Sequence, residues 1–252
     1  MPITIKSGEE LELMRHAGFV LASMHEELRK ALKPGMSTLD IDKLALEITH
    51  SYDGCEPNFL GYEGFPGTVC VSVNEQVVHG IPRADRIIKE GDIVSIDGGV
   101  VYKGYHSDAA RTWCVGEVSD EKRKLVEVTK QAFFEGMKFA KAGNHLYDIS
   151  AAIQKYVESF GYGIARELTG HGIGTELHEE PTVPNYKPIG RGLILKKGMT
   201  LAVEPIVNMA SPRVKWLDDW DVVTADGKPS AHYENTILIT DGEPELFSIL
   251  RD

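Results

Sequence analysis

The stretch from Asp92 to Gly116 constrains the fold most, because two extended runs flank a Tyr-Lys-Gly segment that predicts a tight turn. Asp97 lies within the first run and Asp108 within the second. If residues 102–103 form a two-residue loop, the aspartates lie directly opposite each other. If residues 103–104 form it, Asp97 faces residue 110 and Asp108 is its diagonal neighbour. Both registers place the two carboxylates on one face of the hairpin, whereas a three-residue loop would separate them.

Two carboxylates placed in this way repel each other. Directly opposite side chains have Cβ atoms roughly 4.5–5.5 Å apart, and burial increases the cost of holding two like charges there. A shared proton, a basic partner or a cation would relieve the repulsion. Val94 and Ile96 predict that one face of the first strand is core. Ile93, Ser95 and Asp97 share the other face, and the hairpin alone leaves open whether that face is solvated.

The second half of the chain adds three candidate ligands. Glu204 interrupts the apolar run TLAVEPIV, and Glu234 begins the run ENTILI. A glutamate in such a strand is costly unless it is paired, although Pro205 also suggests an edge or bulge at the first site. His171 lies in TGHGIG, where glycines let the backbone approach a partner closely.

Four carboxylates and one imidazole, without a thiolate, suit a pair of hard or borderline divalent ions such as Mn, Fe, Co or Zn. Two such ions roughly 3.5–4 Å apart can share a water, lower its pKa and polarise a carbonyl. The sequence therefore predicts a dinuclear metal site.

The chain as a whole alternates helical and extended segments. Ser7 and Glu10 have the spacing of a capping box and precede apolar residues at steps of three and four, which predicts a helix that ends near Pro34. Further helices are predicted near residues 38–53, 119–141 and 148–160, with strands after each helical group. This order predicts an α+β fold in which residues 1–252 form a single catalytic domain, with halves of roughly 1–125 and 126–252.

Composition limits the cellular compartments and the binding partners that suit this chain. The formal charge of −11, from 27 basic and 38 acidic residues, argues against a nucleic-acid or anionic-membrane surface. Three cysteines without CxxC spacing favour a reducing compartment. The N-terminus lacks an apolar signal region, and no apolar run is long enough to span a membrane. We expect a cytoplasmic protein.

Together these motifs resemble those of the type I methionine aminopeptidases, in the short bacterial form, from about Lys6 to the C-terminus. The motifs that carry the resemblance are Asp97 in its hairpin strand, Asp108 in YHSDAARTWCVG, His171 in TGHGIGTELHEEP, Glu204 in GMTLAVEPIV, Glu234 in AHYENT and His79 in CVSVNEQVVHGIP. The resemblance implies the pita-bread fold, two pseudo-symmetric α+β halves around a curved, mainly antiparallel sheet. It also implies removal of the initiator methionine from nascent chains whose second residue is small, by attack of a water or hydroxide held by two metal ions.

The resemblance further assigns roles to individual residues. It implies that two divalent ions (Co, Mn, Fe or Zn) bind to Asp97, Asp108, His171, Glu204 and Glu234. Asp108 and Glu234 would bridge both ions, and Glu204 would also act as general base. His79 would contact the scissile amide, and His178 would stabilise the oxygen that becomes the oxyanion. Asp97 is the natural partner of the substrate's free α-amine.

The methionine pocket is expected at Phe59, Tyr62, Phe65, Cys70, Leu177 and Trp220. Sulfur packs well against aromatic edges, which suits the aromatic loop CEPNFLGYEGFPG, although simple core cover is the alternative explanation of that loop. The chain departs from the family pattern at Gly99, where threonine is usual, at His232, where glutamine is common, and at Leu177 and Phe59.

Two other hypotheses remain. One is a proline-specific relative of the same fold, an aminopeptidase P or prolidase, and the other is a non-catalytic binding module. As partners we expect the N-terminal methionine of peptides and nascent chains, and transient ribosome association, for a monomer without a direct nucleic-acid or membrane function. Met1-Pro2 has a small second residue, so the chain is expected to lose its own Met1.

Overall fold

The computed structural model describes residues 3–250. Met1 and Pro2, on which the expected loss of Met1 falls, lie outside the described residues. The four α-helices of the described residues are α1 (Gly8–Ala31), α2 (Thr38–His50), α3 (Asp120–Met137) and α4 (Leu146–Glu158), and a short 3₁₀ helix spans Tyr62–Gly64. The backbone N–H of Ser7 donates to Glu10 Oε2 at 3.1 Å, as the capping-box spacing predicts. α1 ends shortly before Pro34, which disfavours helical backbone at the residue preceding it.

Fifteen strands of the described residues pair in antiparallel fashion in four sheets. In chain order the strands are β1 (Cys55–Pro57), β2 (Val69–Val73), β3 (Gln76–Val78), β4 (Ile93–Tyr102), β5 (Tyr105–Cys114), β6 (Gly163–Ile164), β7 (Thr169–Gly172), β8 (Glu179–Pro184), β9 (Thr200–Val203), β10 (Ile206–Asn208), β11 (Val214–Trp216), β12 (Val222–Thr224), β13 (Ser230–His232), β14 (Asn235–Leu238) and β15 (Glu245–Leu246). β4 pairs with β5 on one side and with β2 and β1 on the other. The remaining sheets have the orders β13-β10-β6, β11-β12-β3 and β15-β14-β9-β7-β8.

The β4–β5 hairpin turns at Lys103-Gly104, where both residues have positive φ, 47° and 81°. This backbone suits a two-residue turn whose twist matches that of the strands. Tyr102 faces Tyr105, Asp97 faces Ala110, and Gly99 faces Asp108. The second of the two predicted registers is therefore the observed one, and the two aspartates are diagonal neighbours on one face.

Both faces of β4 are buried, so the hypothesis of two aspartates on a solvated face is wrong. Val94 and Ile96 pack in an apolar cluster with α1 and α2. Ile93, on the opposite face, packs in a second cluster built mainly from α3, α4 and the strands after residue 163. The hairpin lies between the two cores, which leaves Asp97 and Asp108 only 9% and 3% exposed.

The predicted continuous strand through TLAVEPIVNM is interrupted at Glu204-Pro205. β9 pairs with β7 and β14, whereas β10 pairs with β6 and β13 in another sheet. Proline has no N–H to donate to a ladder, so a strand readily ends or changes partner there. The break frees the Glu204 side chain from the alternation of a regular strand.

Side-chain hydrogen bonds join β5 to the segment that contains β13 and β14. Thr236 Oγ1 accepts from the backbone N–H of Asp108 at 2.8 Å and donates to its carbonyl at 3.0 Å. The backbone N–H of Glu234 donates to Ala110 O at 3.0 Å. These bonds fix Asp108 and Glu234, which come from distant parts of the sequence, beside each other. None of the helices described is long and apolar enough to cross a membrane.

Candidate metal centre and substrate cavity

One cavity of about 310 Å³ gathers all thirteen residues predicted for the site. Its lining includes the five predicted metal ligands, Asp97, Asp108, His171, Glu204 and Glu234. It also includes the eight residues predicted to contact substrate, Phe59, Tyr62, Phe65, Cys70, His79, Leu177, His178 and Trp220. Phe59, Tyr62 and Phe65 of the aromatic loop thus line the cavity, and Phe59 and Tyr62 also cover an apolar cluster.

The predicted ligands come from five separate segments that meet in the cavity. Asp97 lies on β4, Asp108 on β5 and His171 on β7. Glu204 occupies the break between β9 and β10, and Glu234 directly precedes β14. Strands from two sheets therefore supply the ligands, and their rigid pairing sets the positions of the side chains.

The ligand atoms converge to distances that a metal ion could bridge. Asp108, His171 and Glu234 each offer an atom within 4.8 Å of the other two. His171 Nε2 lies 3.7 Å from Asp108 Oδ2 and 3.9 Å from Glu204 Oε1. The other ring nitrogen of His171, Nδ1, donates to Gly172 O at 2.9 Å. This bond leaves the Nε2 lone pair directed at the carboxylates, as in metal-binding histidines.

Burial dominates the electrostatics of this cluster. It raises the pKa of Asp97 to about 7 and, with the neighbouring carboxylates, raises the pKa of Asp108, Glu204 and Glu234 well above their usual values. Burial lowers the pKa of His171 to about 3, so the imidazole is neutral. A neutral imidazole does not offset the negative charge of four ionised carboxylates.

The chemistry of the donors fits divalent cations. Asp97 Oδ1, Asp108 Oδ1 and Glu234 Oε1 are buried without a hydrogen-bond partner. The nearby guanidinium of Arg111 donates instead to Ala110 O, Glu234 O, Asn235 Oδ1 and Ser248 O. Within residues 3–250, no lysine or arginine forms an ion pair with any of the four carboxylates. Of the three ways to relieve their repulsion, a shared proton and a cation remain.

Apolar and aromatic side chains form other parts of the cavity wall. The rings of Phe65 and Trp220 meet edge to face with centroids 5.2 Å apart, and Cys70 lies beside Asp97 on the adjoining strand. His79 packs edge to face on Trp220 at 6.2 Å and has a φ of 57°, which is uncommon outside glycine. Such strain is often found where a functional side chain must be aimed in one direction.

His178 lies beside the predicted metal ligand His171. Its ring packs edge to face on His171 with centroids 4.3 Å apart. The Tyr62 hydroxyl lies 2.9 Å from His178 Nδ1 and can donate to it. In that arrangement Nε2 carries the ring hydrogen and is available as a donor to a substrate oxygen.

His232 departs from the family pattern but was not predicted to lie in the site. It is 2% exposed, and its Nε2 lies 3.9 Å from Glu204 Oε2 and 3.8 Å from Glu234 Oε2. Burial lowers its pKa to about 3, so it too is neutral. Its position two residues before Glu234 is the signal that could have placed it, since alternate residues of an extended segment share a face.

The space above Gly99 is filled by the Asn58 amide. A Cβ at position 99 would overlap both terminal atoms of that amide. The Asn58 backbone N–H donates to Gly99 O at 3.2 Å, and Asn58 is only 7% exposed. Gly99 and Asn58 are therefore complementary in volume beside the strand that carries Asp97.

We expect Gly99→Thr to lower the free energy of unfolding by about 1–3 kcal/mol, because it overpacks this contact. The double variant Gly99→Thr/Asn58→Ala should recover part of the loss, since it removes the colliding amide. Urea denaturation of the single and double variants measures both values. Equal losses in the two variants would contradict the packing explanation.

Comparisons with known proteins agree with this geometry. The profile of Metallopeptidase family M24 matches residues 12–241. A methionine aminopeptidase of Clostridium acetobutylicum is 50% identical over 248 residues, which cover 98% of this chain and 99% of that relative. The solved structure of methionine aminopeptidase from Thermotoga maritima matches with a TM-score of 0.96 and 45% identity, over 99% of this chain and 100% of that one.

A more distant solved structure, a prolidase from Pyrococcus furiosus, matches with a TM-score of 0.80 at 23% identity. It covers 98% of this chain, which spans 66% of the prolidase. At that identity the likeness shows the fold alone. The predicted pita-bread α+β fold is confirmed by these neighbours and by the antiparallel sheets.

Proposed function

The chain belongs to metallopeptidase family M24, with the methionine aminopeptidases among its close relatives, and on this premise we propose that it removes the initiator methionine from new proteins. The proposed substrates are chains whose second residue is small. The observation that carries the proposal is a buried cluster of carboxylates and histidines in one cavity with a set of apolar and aromatic side chains. A methionine side chain suits the apolar and aromatic part of the lining, and the peptide bond that follows it would reach the cluster.

We infer that Asp97, Asp108, His171, Glu204 and Glu234 would hold two divalent ions, to both of which Asp108 and Glu234 would be ligands. The unpartnered oxygens of Asp97, Asp108 and Glu234 support this assignment. Bound ions of this kind would supply Lewis acidity and an activated water. The ligand types admit Co, Mn, Fe or Zn.

The chain's own residues would then bind, orient and move protons. A carboxylate buried beside the reacting atoms can accept a proton from water and return it to the leaving amine, which is the role we assign to Glu204. His178 can donate from Nε2 to the carbonyl oxygen as negative charge develops there. His79 would contact the scissile amide, and Asp97 would receive the free α-amine. Exopeptidase action would follow, because pairing of the free α-amine with Asp97 requires that the methionine be the first residue of the substrate.

A peptide panel tests this function. With Mn, Fe, Co or Zn supplied separately, we expect Met-Gly and Met-Ala peptides to be cleaved at least about 100-fold faster than Met-Lys or Met-Phe peptides, by kcat/KM, because a crowded site rejects larger second residues. Peptides that begin Leu-Gly are the matched control for the methionine pocket. Cleavage of Xaa-Pro peptides with Met-Gly-Met untouched would instead favour the proline-specific hypothesis.

The alternatives have less support. The prolidase likeness is limited to the fold, whereas the two methionine aminopeptidases described above match over 98% and 99% of this chain at 50% and 45% identity. A non-catalytic module has no need of four buried carboxylates, which are costly without a cation. For the cellular setting we propose a cytoplasmic monomer that meets nascent chains in transient association with the ribosome.

A further inference from the structure

A nearly buried ion pair links the start of the chain to the loop beside the cavity. Lys6 Nζ contacts Glu179 Oε2, and the two side chains are 4% and 5% exposed. Thr4 Oγ1 donates to the same oxygen at 2.6 Å. The backbone N–H of Lys6 donates to Gly198 O at 2.8 Å, which holds the N-terminal segment against the body of the protein.

The other oxygen of Glu179 organises the loop of residues 174–179. Oε1 accepts the backbone N–H groups of Thr175 at 2.9 Å and Glu176 at 3.4 Å. Burial alone would raise the pKa of the Glu179 carboxyl, but the hydrogen bonds from Lys6 and Thr4 lower it, so the group is ionised. Gly174 lies against the pair, because a Cβ there would overlap Lys6 and Glu179. The ion pair thus fills the inside of the loop.

This loop presents two cavity residues that are held in different ways. Leu177 is 2% exposed and packs in an apolar cluster with Met14, Ile173 and Phe247. His178 is exposed, and Tyr62 provides the hydrogen bond to its ring. The orientation of His178 depends on the hydrogen bond from Tyr62, on the contact with the His171 ring and on the backbone that leads directly into Glu179. Leu177 is also fixed by apolar packing.

We propose that Lys6 and Glu179 are positioning residues which set the orientation of His178 through the loop backbone, although neither touches the substrate or the metal ligands. A buried carboxylate keeps its place only while its cation is present. Loss of Lys6 would leave Glu179 unpaired, and the loop would move to expose the charge. The N-terminal segment would in this way control the alignment of a group some 170 residues away in sequence.

This inference rests on the proposed function, in which His178 stabilises charge that develops during reaction. Misalignment of such a group lowers kcat more than it raises KM, because the interaction is made mainly in the transition state. Since Leu177 retains its apolar contacts, binding of the methionine side chain should change little. A purely structural role would instead lower thermal stability and leave the kcat of the folded protein unchanged.

The test compares Lys6→Met with the wild-type full-length protein, at saturating Mn and well below the Tm of both, with a Met-Ala peptide. We expect kcat to fall about 10- to 100-fold, as small misplacements of catalytic groups do, with KM within about threefold and unchanged metal content. Lys122→Met is the matched control. It removes a lysine that bridges Asn74 Oδ1 at 2.9 Å and Gly91 O at 2.7 Å outside the cavity, and it should keep the wild-type kcat.

A second variant covers the case in which Lys6→Met does not fold. Glu179→Gln keeps the shape of the side chain and an acceptor for Thr175, and it should also lower kcat selectively. Lys6→Met/Glu179→Gln leaves neither charge unpaired, so its kcat should exceed that of Lys6→Met. A wild-type kcat in folded Lys6→Met or in Glu179→Gln, or a loss equal to that of Lys122→Met, would overturn the inference. If the wild-type protein itself leaves Met-Ala peptides intact, the proposed function fails instead.

Discussion

Glu204→Gln is expected to lower kcat by about a thousandfold at saturating metal, within the range by which a positioned general base accelerates proton transfer. The amide has almost the same shape as the carboxylate but cannot accept the proton. In the metal-free protein the change removes an ionisable carboxyl from a cluster in which burial, together with Asp97 and Asp108, raises the pKa of Glu204. Thermal stability without metal should therefore be unchanged or higher, while turnover is lost. Steady-state kinetics and thermal denaturation of the same preparation measure the two effects.

Glu158→Gln is a suitable control for this variant. Glu158 is exposed near the end of α4, where its Oε1 accepts from Gln154 Nε2 at 2.7 Å. It should keep wild-type kinetics. A Glu204→Gln protein with kcat within threefold of wild type would show that Glu204 is not the base, and an unfolded Glu204→Gln protein would show that its role is structural.

Local chemistry allowed much of this site to be predicted from sequence. A two-residue loop places Asp97 and Asp108 on one face in either predicted register, and the observed turn at Lys103-Gly104 is of this kind. Glu204 and Glu234 were conspicuous because ionisable groups are rare in apolar strands. Each of these signals is contained in one short stretch of sequence and does not depend on the tertiary arrangement.

What could not be predicted depends on contacts between distant segments. The alternation on β4 indicates a core face but not that a second core covers the face of Ile93. The change of sheet at Pro205 depends on which strands lie nearby, since proline permits several kinds of interruption. Lys6 and Glu179 have no local pattern that pairs them, because each resembles a solvated surface charge in sequence.

Removal of the metal by a chelator is expected to abolish turnover and to lower the Tm. At a metal concentration about 100 times the Kd, each bound ion contributes about 2.7 kcal/mol. For a chain of this length that corresponds to about 5–10 °C in Tm per ion. Asp108→Asn, which removes a charged ligand, should show a smaller difference between metal-free and metal-loaded protein. Differential scanning calorimetry of both proteins, with and without Mn, measures these differences.

This difference in Tm should grow as the pH rises from 5 to 8. In the metal-free protein the four carboxylates have raised pKa values, with Asp97 at about 7. A raised pKa contributes stability that is complete below the unfolded value of about 4 and is lost as the pH rises through the folded value. Bound cations offset the charge of the ionised carboxylates, so the metal-loaded protein does not lose this stability. Burial lowers the pKa of His25 to about 3, so its contribution to stability changes with pH in the opposite direction. This contribution is the same in the metal-free and the metal-loaded protein and cancels in the difference in Tm. A difference that stays constant or shrinks between pH 5 and 8 would contradict the assignment of these carboxylates as metal ligands.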